Sequence, residues 1–80
     1  MFARKVRVTY NNEPCPLKWL DNFSMRNFTN DAAFDDTIPV SDGLMEIGAR
    51  VPLEGLKAAM EEWFRKKGYI KANEQLELKA

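Results

Sequence analysis

The opening of the chain alternates. Phe2, Val6, Val8 and Tyr10 fall on one side of an extended backbone, and Lys5, Arg7 and Thr9 fall on the other. A period of two, carried by β-branched residues, predicts a half-buried strand over residues 3–10. Asn11-Asn12-Glu13-Pro14 ends it with turn-forming residues. Pro16 suits the first position of a short helix running to Phe23, with Leu17, Leu20 and Phe23 inward and Trp19 partly turned away. Periodicity then fades. Residues 24–42 are rich in Asn, Asp, Thr, Ser and Pro, which predicts an ordered loop pinned by Phe28, Phe34, Ile38 and Val40, with one short strand near residues 36–40. Asp42-Gly43 is a hairpin turn signal. It leads into a strand over 44–51, where Met45, Ile47, Ala49 and Val51 share a face opposite Glu46 and Arg50.

The best-specified element follows. From Pro52, Leu53, Leu56, Met60, Trp63, Phe64 and Lys67 recur at steps of three and four, the stripe of an amphipathic helix over 53–67. Glu54 in its first turn, Arg65, Lys66 and Lys67 in its last and Gly68 just beyond suit the helix dipole and a glycine cap. Tyr69-Ile70-Lys71 reads as a short strand, and Gln75 to Lys79 as a last strand with Leu76 and Leu78 inward. The order predicts an α+β domain spanning residues 1–80. A small mixed or antiparallel sheet of three to four strands packs against one long helix in the C-terminal half, with one short helix besides.

Hydrophobic residues make up 45 % of the chain and charged residues 30 %, the balance of a folded globule. Chains this short stabilise themselves narrowly, so a homodimer or a bound partner would add stability. Net charge is zero, but it is segregated. Residues 1–20 hold four bases against one acid, 21–46 one base against six acids, and the rest seven bases against five acids. Such polarity suits a protein partner better than a phosphate backbone. The single Cys15 cannot form an internal disulfide, there is no apolar membrane span, and charges occupy the N-terminal stretch where a signal peptide needs apolar residues. A cytoplasmic location is expected.

The chain contains no histidine, which removes His-dependent acid–base and nucleophile chemistry and the commonest zinc sites. No glycine-rich phosphate loop or CxxC pair is present. The acidic run around Asp31, Asp35 and Asp36 lacks the spacing of a calcium loop. No catalytic residue, metal or cofactor is therefore expected, and the chain reads as a non-enzyme. Cys15, between Pro14 and Pro16, has no basic neighbour that would activate it.

Three surfaces remain. The aromatic content is high for so small a core, and Trp19, Phe28 and Phe34 together with Asp31, Asp35 and Asp36 are the expected contact residues for a larger protein, aromatic rings being strong interface anchors. The second surface is basic: Arg4, Lys5 and Arg7 on the first strand, and Arg65, Lys66, Lys67 and Lys71 around the helix end, would serve a nucleic-acid-binding protein. The acids Glu54, Glu61 and Glu62, expected on the outer side of the helix, oppose that use. Third is self-association, as a structural subunit. The leading expectation is a small protein-binding module, an inhibitor or adaptor of the size class that phages and mobile elements encode.

Overall fold

A computed structural model describes residues 3–23 and 37–80. Among them the elements run β1 (Ala3–Tyr10), β2 (Glu13–Pro14), α1 (Leu17–Asp21), β3 (Thr37–Ser41), β4 (Leu44–Gly48), α2 (Leu53–Lys66) and β5 (Glu77–Lys79). The five strands form one antiparallel sheet, where three to four strands are expected from the sequence. The strand not expected is β2, hidden in the sequence because it is two residues long and contains a proline.

β1 is shared by three partners. Arg7 pairs with both Leu44 and Lys79, and Thr9 with both Pro14 and Glu77. β4 and β2 therefore lie end to end along one side of β1, with β5 along the other. At the joint between β2 and β4, Val8 N–H donates to the Gly43 carbonyl at 2.8 Å. Gly43 N–H donates to Cys15 O at 2.6 Å, and Cys15 N–H donates to Val8 O at 2.9 Å. Gly43 fits for two reasons: its φ is +70°, and a Cβ there would lie 2.7 Å from the Pro14 Cβ.

The same bonds explain Pro39. The polar backbone groups of Val8, and by alternation of Val6, point to the β4 side. Met45, opposite Val6, turns its own groups to β1, so Pro39, opposite Met45, turns its groups to the outer edge. A missing N–H breaks no ladder bond there. One residue later the register slips between Pro39 and Ser41, leaving Val40 as the extra residue of a bulge.

Both helices pack on one face of the sheet. Val6, Val8, Met45 and Ile47 meet Leu20, Leu56, Met60 and Phe64 in a single core with Phe23, Val51, Ile70 and Leu76. α2 ends as its glycine predicts. Tyr69 N–H bonds Phe64 O at 2.8 Å and Gly68 N–H bonds Arg65 O at 3.0 Å, with Gly68 at φ +79°. The Tyr69 and Phe64 rings lie 5.8 Å apart across this cap, the paired bonds and apolar contact of a Schellman motif.

Several expectations are corrected. Residues 69–71 form no strand, because the cap bonds occupy the Tyr69 and Ile70 N–H groups. Ala49 lies in a turn and is exposed, and Leu17 is exposed rather than inward. Glu61 is buried rather than outward: its Oε2 accepts the Leu76 N–H at 2.8 Å and fixes the approach to β5. Periodicity alone cannot reveal this, since it places Glu61 by angle and takes no account of a backbone donor that arrives from fifteen residues downstream.

Replacing Gly43 with Ala should cost about 2–4 kcal/mol, combining left-handed strain with displacement of Pro14. Urea unfolding followed by circular dichroism measures this, and Gly55→Ala is the control, since a Cβ at Gly55 meets only Pro52 Cγ at 3.4 Å.

Candidate functional site

Of the residues expected to meet a protein partner, Trp19 lies within the described chain; Phe28, Asp31, Phe34, Asp35 and Asp36 lie outside it. α1 is short because Pro16 opens it and Asn22 closes it, and its single turn turns Leu20 into the core while Trp19 rests half-buried above it. Trp19 stacks on Tyr69 at 4.9 Å and 6°, tilts 50° to Tyr10 at 5.5 Å, and meets Phe64 edge-on at 5.8 Å. It caps the core from the side and also shows part of its ring at the surface.

The rim of this ring cluster is fixed by polar contacts. Asn22 Nδ2 donates to Tyr69 OH at 3.2 Å and to Lys18 O at 3.0 Å. Tyr10 OH donates to Glu74 Oε1 at 2.7 Å, and the same oxygen accepts the Lys71 N–H at 2.7 Å. Arg65 Nη2 donates to Glu74 O at 2.7 Å. The Tyr10 hydrogen bond and the Lys71 N–H hold the Glu74 carboxyl below its ordinary range, and the same hydrogen bond raises the Tyr10 phenol. These contacts hold the rings in one arrangement.

Beside α1 lies a feature that helix and strand patterning does not single out. Leu17, Ile38 and Val40 are large aliphatic residues with 37 %, 57 % and 47 % of their surface exposed, so Ile38 and Val40 do not pin the chain to the core as expected, because β3 lies at the edge of the sheet. Ile38 and Val40 stand on β3, and Leu17 is joined to the β3–β4 turn through its N–H, which donates to Asp42 Oδ1 at 2.7 Å. The available sequence signal was the Pro39 within an otherwise strand-like run, which marks an edge.

The basic residues do not form one surface. Lys5 and Arg7 are exposed on the sheet face away from the helices. Lys79 joins them, directly opposite Arg7 and paired with Glu77 at 3.0 Å, and the sequence pattern did not connect it to them. Arg4, grouped with Lys5 and Arg7 from the sequence, stands instead on the core side opposite Ile47, and its guanidinium bonds the Val51 carbonyl. Strand alternation is the reason. At the helix end Arg65 is bound to Glu74, and Lys67 sits 4.8 Å from the centre of the Trp63 ring. Lys66 and Lys71 are exposed. The strand and helix-end groups thus belong to opposite layers.

Cys15 is buried, and desolvation, helped by the charge of Asp42, pushes its thiol up to about 12, so it is no nucleophile at neutral pH. Among the described residues no group of three or more acidic, thiol or imidazole side chains could hold a metal, and no helix is long and apolar enough to cross a membrane.

A lowered carboxyl pKa contributes stability that is present above the unfolded value of 4.5 and lost as pH falls through the folded value. Stability measured by urea unfolding should therefore decline below about pH 4.5, and Glu74→Gln, which keeps an oxygen acceptor without titrating, should flatten that decline. Compared with known proteins, the chain matches no family model, no curated protein and no solved structure.

Proposed function

We propose that this chain is a non-enzymatic binding module that acts in the cytoplasm by occupying a surface of a larger protein, as an inhibitor or adaptor does. The observation that carries this reading is the aliphatic edge of Leu17, Ile38 and Val40. Its side chains are open while its backbone is closed: Pro39 removes an outward N–H and the bulge at Val40 disrupts the regular ladder. An edge of this kind resists strand addition and still offers apolar side chains to a complementary pocket. Trp19, held by Tyr69 and Tyr10 on the other side of α1, is a separate rigid aromatic contact.

A second reading rests on the open sheet face. Arg7 and Lys79 stand directly opposite one another, with Glu77 paired to Lys79 at 3.0 Å and Glu46 opposite Lys5. Lys5 and Arg7 are the exposed cations of this face through which nucleic acid would bind. Burial of Glu61 removes one of the repelling acids expected on the helix, but the separation of the basic groups onto two layers leaves this face with few cations.

The two readings separate in a capture experiment on cell lysate treated with nuclease. The immobilised parent should retain a discrete protein, and an Ile38→Lys, Val40→Lys double variant, verified as folded by circular dichroism, should retain at least about tenfold less. Retention of nuclease-sensitive material alone, undiminished in the double variant and falling steeply with salt, would overturn the protein-binding reading in favour of the basic face. Sedimentation of the parent at micromolar concentration reads whether the same edge instead joins two copies of the chain.

A further inference from the structure

On the side of the sheet remote from β3, the Asn11–Asn12 turn, the second turn of α2 and the chain entering β5 enclose a groove of about 430 Å3. Its walls carry Thr9, Asn11, Asn12, Lys57, Gln75 and Glu77, with Leu76 the one apolar contributor. Pockets for small ligands span roughly 300–1,000 Å3, so the volume suits a compact molecule. A mostly polar wall without an aromatic ring is poorly suited to flat hydrophobic ligands.

The hydrogen-bonding capacity of this wall is largely unspent. Neither the carboxamides of Asn12 and Gln75 nor the ammonium of Lys57 bonds another side chain or backbone group among the described residues. Glu77, the other charge on the wall, is drawn to Lys79 in an exposed ion pair at 3.0 Å. Lys57 has no ion-pair partner among the described residues, and it is half-buried, which raises the cost of leaving it unpaired. One uncompensated cation flanked by carboxamides and a hydroxyl complements an anionic group on a ligand that also bears hydroxyls.

We propose that this groove binds a small polyhydroxy anion, such as a phosphorylated or carboxylated sugar. Lys57 takes the anionic group, and Asn12, Gln75 and Thr9 take the hydroxyls. The site shares no residue with the aliphatic edge, so its fate is independent of the protein-binding reading.

Glucose 6-phosphate is the probe, titrated into 15N-labelled protein to about 10 mM, with glucose and inorganic phosphate in parallel. Saturable shifts confined to the amides of residues 9–12, 57 and 75–77 are expected with glucose 6-phosphate, and weaker ones with either fragment. Lys57→Met, which keeps the aliphatic stem, should weaken binding at least about tenfold. Asn12→Gly should weaken it about threefold while preserving the turn, because φ is +65° there and glycine accepts that conformation. Equal response to glucose, or binding undiminished in Lys57→Met, would overturn the anionic class. Equal response to inorganic phosphate would overturn the role of the hydroxyls, and the lack of any shift with glucose 6-phosphate would overturn the site.

Discussion

The structure hangs on the triangle of backbone hydrogen bonds joining Val8, Cys15 and Gly43. Three stretches of chain far apart in sequence meet there, and each satisfies polar groups of the next. The triangle sets the register of β2 and of the β3–β4 hairpin against β1, and so determines which face Val6, Met45 and Ile47 present to the helices. A slip of one residue would exchange that face for Lys5, Arg7 and Glu46. The contact demands a residue with no side chain at position 43, and Cys15 beside it is buried in the core between two prolines.

Around this joint the two layers do different work. The helix layer closes the core and, through Trp19, Tyr69, Tyr10 and Glu74, ties α1 to the chain beyond α2. The far sheet face remains open and largely charged, carrying Lys5, Arg7, Glu46, Glu77 and Lys79, with Ile38, opposite Glu46, exposed on the same side. The aliphatic exposure is concentrated at the β3 edge, where the two layers meet solvent together.

Much of the architecture was legible in the sequence because the relevant signals are local. The period of two in Val6, Val8 and Tyr10, the steps of three and four from Leu56 to Phe64, the Asp42-Gly43 turn and the Gly68 cap each reflect forces acting within a few residues. What escaped notice depends on contacts distant in sequence. β2 exists because Val8 and Gly43 receive Cys15, Glu61 is inward because Leu76 brings it a donor, and Lys79 becomes a neighbour of Arg7 only through β5. Of the expected partner face, Trp19 is the residue the structure describes, whereas the exposure of Ile38 and Val40 followed from a topology that placed β3 at the edge.

That edge has an evolutionary consequence. A surface that recruits a strand through its backbone is nearly blind to sequence and commits the protein to one mode of docking. On the proposed reading, the β3 edge, with Pro39 and the bulge interrupting its main chain, leaves recognition to side chains that are largely exposed. Substitutions at Ile38, Val40 or Leu17 would then alter which surfaces are complementary while the sheet ladder stays intact, and partner choice would drift one residue at a time on an unchanged scaffold.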